Sequence, residues 1–323
     1  MTSNTVGPDD VERPVRFRID FVFEVISMDD ETRTVRFKAK PDPRRYEWRT
    51  ENGKDYLYDK FDNLRFPKEV FARFAEDLQG HAVNYEPQKI GDAVAYIEAR
   101  CPLILTFLKG EQPPPSFADP SDDFLNSLQS DKLEFVVLSL DLVGSTKLAT
   151  TLPAPEYLRV IQTALFEISE VVPFFHGHVL KYTGDGIIAY FPAPSFITKN
   201  DLALDCALTL RRLVKDGLNR VFVENGYEPI NVRIGIDSGE AAVVAIGSPS
   251  TKQHKDIIGA VISLACKIQN RAPVGGIALG DVTVRNLHTS WRTITCEMEM
   301  GADWTYADPE TGAPYRVHKV RFD

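Results

Sequence analysis

The sequence predicts an α+β protein of two domains, and three observations support this. Its 323 residues exceed the roughly 100 to 200 residues of one typical domain. Strand-like segments dominate the first part of the chain, whereas strand-like and helix-like segments alternate in the second part. Between them, the stretch EQPPPSFADPSDD at 111–123 is rich in proline and acidic residues, as exposed connectors are. We therefore expect one domain over 1–123, connector included, and a second over 124–323.

The first domain is expected to be a β-rich α+β unit with a regulatory or sensing role. The segments with the composition of β-strands are RFRIDFVFEVI, TRTVRFKAK, YEWRT and DYLYD. The last two flank Asn52-Gly53, a dipeptide that favours a tight hairpin turn. One helix is indicated at PKEVFARFAEDL, with Pro67 in its first turn. A second is indicated at DAVAYIEARCPLILTFL, where Pro102 is expected to interrupt it.

The second domain alternates between strand and helix patterns. In chain order the predicted elements are strand EFVVLSLD, helix 146–174, hairpin 179–191, helix 201–217, strands NVRIGIDSG and AAVVAIG, helix 260–270 and strand IALG. This β-α-β-β-α-β order, with short additions, predicts an antiparallel sheet that carries helices on one face, which is the ferredoxin-like plan.

Composition narrows the classes of function. The net charge of −9 argues against general nucleic-acid binding, which depends on clustered Lys and Arg, and leaves open a small anionic ligand held by a metal ion. No apolar run approaches the ~18 residues of a membrane span. The N-terminal stretch MTSNTVGPDDVERP lacks the apolar core of a signal peptide. We expect a cytoplasmic protein without a nucleic-acid or membrane partner.

The cysteines and two of the histidines do not form a metal-binding pattern. The cysteines are Cys101, Cys206, Cys266 and Cys296. They are scattered and form no CxxC pair, so we expect reduced, partly buried thiols. His176 and His178 flank Gly177 without a third ligand nearby, so we expect exposed turn residues and not metal ligands.

Two aspartates, at the end of a predicted strand and at a predicted hairpin tip, are candidate metal ligands. Asp141 ends the apolar run FVVLSLD just before a predicted helix, so its carboxylate is expected at the edge of the sheet. Asp185 lies at the hairpin tip, in TGDG. A capping or turn role is the alternative for each residue alone. Because the first strand is expected beside the hairpin, the two carboxylates should converge and bind Mg²⁺, which uses one or two carboxylates together with substrate phosphates.

The second domain resembles the catalytic domain of class III nucleotidyl cyclases, the adenylate and guanylate cyclase type. The matching motifs, in order, are SLDLVGSTKL, KYTGDG, VRIGIDSGEAAVVAIG and DIIGAVISLACKIQ. The resemblance implies cyclisation of a nucleoside triphosphate to its 3′,5′-monophosphate and pyrophosphate, with two Mg²⁺ or Mn²⁺ ions per site. It also implies a homodimer whose active sites are shared across the interface.

The same resemblance assigns roles to five residues. Asp141 and Asp185, together with Leu142, correspond to the metal site. Lys181 and Asp256 correspond to the pair that reads the base. A snorkelling surface lysine and a loop acid or helix cap are the alternatives for that pair.

The chain departs from the family pattern on the helix after Gly259. Ser263 stands where the family has asparagine, and Lys267 where it has the arginine that stabilises charge in the transition state. Lysine supplies charge without the planar fork of a guanidinium, so we expect either a slow enzyme or a separate subfamily. Arg271, one turn further, is a candidate to replace that arginine. Lys252 is a candidate contact to the terminal phosphates, with a solvated loop lysine as the alternative.

Lys181 and Asp256 restrict the choice of base. A lysine donates to a ring nitrogen and a carboxylate accepts from an exocyclic amine, and adenine and cytosine both offer that combination. ATP is favoured, and the alternative is a CTP or UTP cyclase of the pyrimidine branch of bacterial anti-phage signalling. A catalytically weak, cyclase-like nucleotide-binding regulator is a further hypothesis. The lack of a GGDEF-type run and the acidic net charge disfavour a diguanylate cyclase or a polymerase.

Overall fold

The packing of the chain defines two compact units, 1–84 and 85–323. The computed structural model describes residues 19–29, 31–61, 64–78, 82–84, 90–111, 120–128, 133–192, 198–308 and 311–322. The division lies upstream of the predicted boundary at 123/124, because the helix at 93–108 packs within the second unit. Most of the predicted connector, 112–119, lies outside the described residues.

The first unit is rich in β-strands. Its elements are β1 (Phe21–Asp29), β2 (Thr34–Pro41), β3 (Tyr46–Glu51), β4 (Lys54–Asp59), β5 (Arg65–Pro67), α1 (Lys68–Leu78) and β6 (Ala82–Asn84). They form two antiparallel sheets, ordered β1-β2-β6 and β3-β4-β5. The predicted Asn52-Gly53 turn joins β3 to β4. Tyr46, Leu57 and Phe71 form the centre of a small core.

The second unit is built on one large mixed sheet. Its elements are α2 (Ala93–Leu108), α3 (Pro120–Ser127), β7 (Leu133–Val143), α4 (Ser145–Thr151), α5 (Ala154–Val171), a 3₁₀ turn (Val172–Phe175), β8 (His178–Tyr182), β9 (Gly186–Phe191), α6 (Thr198–Arg212), a π-helical turn (Leu213–Leu218), α7 (Asn219–Glu224), β10 (Asn231–Ser248), β11 (Lys252–Ile258), α8 (Ala260–Arg271), β12 (Gly276–Gly280), α9 (Asp281–Asn286), α10 (Thr289–Arg292), β13 (Thr295–Glu297) and β14 (Val317–Val320). The sheet order is β13-β14-β12-β10-β7-β9-β8, and β11 pairs with the second half of β10. Within the described ranges, no helix is both long and apolar enough to cross a membrane.

Strands β10, β7, β9 and β8 form the predicted ferredoxin-like core. They are antiparallel neighbours in this order. Counted along the chain, they are the fourth, first, third and second strands of the core. Helix α5 lies between the first and second strands and α6 between the third and fourth, which completes the βαββαβ arrangement. The predicted α+β class is therefore confirmed.

Helices cover both faces of this sheet, so the expectation of helices on one face is wrong. Successive side chains of a strand point to opposite faces, and β7 shows this alternation. Leu138 and Leu140 pack into the core that contains α5 and α6, whereas Phe135 and Val137 pack into the core that contains α8. The reason is the parallel pairing of β10 with β12, whose connection runs through α8 on the second face.

Two helices differ from the prediction at a proline. Pro153 separates α4 from α5, because the residue before it, Leu152, is held in an extended conformation. The helix predicted at 146–174 is therefore divided. Pro102, in contrast, lies inside a continuous α2. Helix α2 packs on α5 and on the π-helical turn, and this packing stabilises it as a helix despite the proline.

The segments NVRIGIDSG and AAVVAIG, predicted as two strands, form the single strand β10. Residues 231–241 of β10 pair with β7, and residues 242–248 pair with β11. A strand that changes its partner needs no turn between the two pairings. The alternating pattern shows the strand but not the change of partner.

Asp237 of β10 is a buried acid that links the sheet to the C-terminal segment. It is 1% exposed, and its Oδ1 accepts a 2.6 Å hydrogen bond from the Tyr315 hydroxyl. Burial raises the pKa of Asp237 to about 7, although the Tyr315 hydrogen bond opposes this rise. The folded chain therefore retains a proton that an unfolded aspartic acid releases near a pKa of about 4.

We expect the contribution of Asp237 to stability to be complete below about pH 4 and to be lost as the pH rises through about 7. Between about pH 5 and about pH 8, the free energy of unfolding should fall by about 2 to 3 kcal/mol more in the wild type than in Asp237→Asn. The asparagine keeps the Oδ1 acceptor for Tyr315 but cannot ionise. Urea unfolding at the two pH values measures this difference, and equal falls in both proteins would contradict the assignment.

Candidate active site

The structure brings Asp141 and Asp185 together at one edge of the sheet. Asp141 lies near the end of β7, where it pairs with Gly186 at the start of β9. The backbone N–H of Leu142 donates to the carbonyl oxygen of Asp185, with 3.3 Å between the two atoms. The hairpin tip is therefore held directly against the end of the first core strand.

Glycines on both sides of Asp185 permit this approach. Gly184 has a φ of +89°, in the left-handed region that favours glycine. A Cβ atom on Gly186 would lie 2.3 Å from the backbone oxygen of Leu140. Ser145, at the start of α4, donates its hydroxyl to the Asp185 carboxylate and so orients it. The TGDG sequence is thus both a tight turn and the support of a carboxylate.

The electrostatics of Asp141 indicate a site for a cation. Burial raises the pKa of Asp141, and the negative charge of Asp185 raises it further. Two hard carboxylates that repel each other are a ligand set suited to Mg²⁺ or Mn²⁺. Leu142, also predicted at the metal site, contributes the backbone N–H that donates to the carbonyl oxygen of Asp185. In the described part of the chain, no group of three or more His, Cys, Asp or Glu side chains could hold a metal ion. Mg²⁺ is commonly bound by one or two carboxylates together with substrate phosphates.

Arg233 is a member of the site that the sequence interpretation missed. It lies on β10 directly opposite Asp141, and its charge lowers the pKa of that carboxyl. Its Nε is buried and has no hydrogen-bond partner among the described residues. A buried donor beside two acids is suited to an anionic oxygen of a ligand. The available signal was an arginine between the buried apolar residues Val232 and Ile234.

Lys181 and Asp256 form a second polar pair. A bulge between Val179 and Lys181 changes the register of β8 and so sets the direction of the lysine. Its Nζ lies 2.5 Å from Oδ2 of Asp256 on β11. The other oxygen, Oδ1, accepts the backbone N–H of Ile257 at 2.8 Å. The two predicted base-reading residues therefore meet in the same chain, as a direct ion pair.

Most of the remaining predicted residues lie on helix α8. Ser263 and Lys267 are exposed and four residues apart, hence on one face of the helix. Across the described ranges, neither side chain has a hydrogen bond or ion pair. Arg271 on the next turn forms an ion pair with Asp303, which occupies the guanidinium proposed as a replacement. Lys252 is exposed at the start of β11.

The two histidines differ from each other. His176 is exposed in a left-handed turn, as expected. His178 is not an exposed turn residue, because it begins β8 and stacks on Phe124, with 4.1 Å between ring centroids, and on Tyr190. Burial lowers the pKa of His178, which favours its neutral form. His178 thus has a packing role.

Comparison with known proteins agrees with this fold. The sequence model of the protein family named adenylate and guanylate cyclase catalytic domain matches residues 129–303, just over half of the chain. The adenylyl cyclase CyaB from P. aeruginosa has a similar fold, with a TM-score of 0.52 and 21% identity over 61% of this chain and 97% of that one. The guanylyl cyclase Cya2 gives a TM-score of 0.50 and 21% identity over 60% and 94%.

Curated relatives include two cytidylate cyclases. The protein from Staphylococcus aureus is 26% identical over 189 residues, 56% of this chain and 44% of the relative. The protein from Escherichia coli is 27% identical over 160 residues, 47% of this chain and 35% of the relative. The match thus spans less than half the length of either relative. The family match and the predicted resemblance agree, and the chain belongs to the adenylate and guanylate cyclase catalytic domain family.

Proposed function

We propose that the protein is a nucleotidyl cyclase that converts a nucleoside triphosphate into its 3′,5′-cyclic monophosphate and pyrophosphate. The observation that carries the proposal is the meeting of Asp141 and Asp185 at one sheet edge of a cyclase-family domain. In the reaction, the ribose 3′-oxygen bonds to the α-phosphorus, the bond from that phosphorus to the bridging oxygen breaks, and pyrophosphate leaves. The 3′-hydroxyl proton passes to solvent.

The residues of the site supply binding and orientation for this displacement. Asp141 and Asp185 would hold two Mg²⁺ or Mn²⁺ ions, which when bound lower the pKa of the 3′-hydroxyl and neutralise charge on the triphosphate. Ser145 fixes the Asp185 carboxylate. Arg233 offers a buried N–H beside the acids for a phosphate oxygen.

We further propose that the active unit is a homodimer. Lys267 carries the positive charge expected near the leaving pyrophosphate, yet it lies on the exposed face of α8. Asp141 and Asp185 lie at the sheet edge, and among the described residues no hydrogen bond or ion pair joins them to Lys267. A second copy of the chain could bring its Lys267 and Ser263 to the acids of the first. The N-terminal unit would then regulate the assembly.

The proposed base-reading residues, Lys181 and Asp256, restrict the substrate to two nucleotides. Oδ2 of Asp256 accepts from an exocyclic amine and Nζ of Lys181 donates to the adjacent ring nitrogen, so ATP and CTP both fit. Guanine and uracil place a carbonyl where the amine should be. The two curated relatives, at 26% and 27% identity, are cytidylate cyclases, which supports CTP over ATP.

Incubation of the full chain with each of the four nucleoside triphosphates and Mg²⁺ or Mn²⁺ tests the proposal. We expect cyclic CMP as the main product, identified by mass spectrometry. Cyclic AMP as the main product would retain the cyclase and refute the pyrimidine assignment. Absence of every cyclic product would refute the cyclase and favour a nucleotide-binding regulator.

Such a regulator is the second candidate function. The observation that favours it is Lys267, a lysine where the family arginine would grip phosphate oxygens with a planar fork. A regulator would bind the triphosphate without converting it. Lys267→Arg separates the two, since it should accelerate a slow cyclase and leave an inactive domain inactive.

A further inference from the structure

His254 lies beside the base-reading pair and has no role in the function proposed above. It is on β11, two residues before Asp256, so the two side chains share one face of the strand. Its Nε2 is 3.9 Å from Oδ2 of Asp256, the same oxygen that lies 2.5 Å from Nζ of Lys181. One carboxylate oxygen thus has two nitrogen donors around it.

The neighbouring contacts leave this group of atoms available to a ligand. Oδ1 of Asp256 is occupied by the N–H of Ile257, which directs Oδ2 toward Lys181 and His254. The side chains of Lys181 and His254 are 40% and 45% exposed, whereas that of Asp256 is 9% exposed. At 3.9 Å the histidine is too distant for a direct hydrogen bond to the carboxylate. Its N–H can therefore be directed to another acceptor.

The edge of each base presents three neighbouring groups, counted from the position of the exocyclic amine. Cytosine and adenine differ in the third of these groups. Cytosine presents an amine donor, the N3 acceptor and the O2 acceptor in sequence. Adenine presents an amine donor and the N1 acceptor, followed by a C–H that accepts nothing. Uracil and guanine already fail at the first position, where a carbonyl would face the Asp256 carboxylate. A second donor beyond Lys181 therefore distinguishes cytosine from adenine.

We propose that His254 selects cytosine by donating its Nε2–H to O2 of the base. Asp256, Lys181 and His254 then supply an acceptor and two donors, which complement the amine, N3 and O2 of cytosine. With adenine, the histidine would face a C–H and lose its partner. The inference rests on the proposed cyclase function and names CTP as its substrate.

The test compares kcat/KM for CTP and for ATP in the full chain. His254→Ala should lower kcat/KM for CTP by roughly 10- to 100-fold and change that for ATP by less than about threefold. His254→Gln keeps an N–H donor and should retain most of the preference for CTP. Gln253→Ala, exposed on the opposite face of β11, is the matched control and should leave both values unchanged.

Binding separates a failure of this inference from a failure of the proposed function. The dissociation constants of the α,β-methylene analogues of CTP and ATP can be measured by calorimetry whether or not the chain cyclises either nucleotide. His254→Ala should weaken binding of the CTP analogue alone. Equal losses for both analogues, or no loss for either, would overturn the role of His254. Loss of the CTP preference in the His254→Gln variant as well would overturn the role of the N–H donor.

Discussion

Asparagine in place of Asp141 or of Asp185 is expected to lower cyclic nucleotide formation by about a thousandfold or more. Each substitution keeps the shape of the side chain and removes one of the two negative charges that meet at the sheet edge. Without both charges the site no longer holds two divalent ions against a triphosphate. Product measured by mass spectrometry at saturating nucleotide and Mn²⁺ gives the loss.

These substitutions should remove activity and metal binding without destabilising the fold. Burial and the charge of Asp185 raise the pKa of Asp141, so Asp185→Asn relieves repulsion in the metal-free site. The Tm of Asp185→Asn without divalent ions should equal or exceed that of the wild type, and the stabilisation by Mn²⁺ should disappear. Asp216→Asn, at a partly exposed carboxylate of the π-helical turn, is the control and should behave as the wild type. A variant at either acid that retained wild-type turnover would refute the metal site.

Mixed dimers of two inactive chains should recover activity. Asp141→Asn removes the metal side of each site, and Lys267→Ala removes the charge that α8 is proposed to supply from the other chain. In a random mixture, half of the dimers contain both chains and each of these has one intact site, so about a quarter of wild-type activity should return. Co-expression with two affinity tags, followed by the cyclase assay, measures this recovery.

A second mixture provides the control for shared sites. Asp141 and Asp185 belong to the same side of the site, so a dimer of Asp141→Asn with Asp185→Asn contains no intact site and should remain inactive. Recovery in both mixtures would show that the activity does not come from sites shared between complementary chains, and would refute the shared site. No recovery with Lys267→Ala would refute the shared homodimer site.

Much of the fold and part of the site follow from local sequence. Apolar runs rich in β-branched and aromatic residues predicted the core strands, and TGDG predicted the hairpin tip that carries Asp185. The family motifs then indicated Lys181 and Asp256, which the structure joins at 2.5 Å. Each of these inferences depends on spacing within one short segment.

Other features depend on contacts between distant segments. Arg233 was missed because its position opposite Asp141 results from the register of β10 on β7. His254 was not predicted as a site residue, because only the fold shows that it lies near Oδ2 of Asp256. The same oxygen contacts Lys181, which is on another strand. Helix α8 was placed on the wrong face because the parallel pairing of β10 with β12 cannot be read from either strand alone.

The sequence by itself determined the class of fold and the order of the core elements, because periodicity and turn composition act over a few residues. Its motifs also indicated Asp141 and Asp185 as candidate metal ligands. Only the tertiary structure decided which face α8 covers, which arginine stands opposite Asp141, and which side chains surround the Asp256 carboxylate. Those outcomes depend on strand pairing and packing between segments far apart in the chain, where one residue of register moves a side chain to the opposite face.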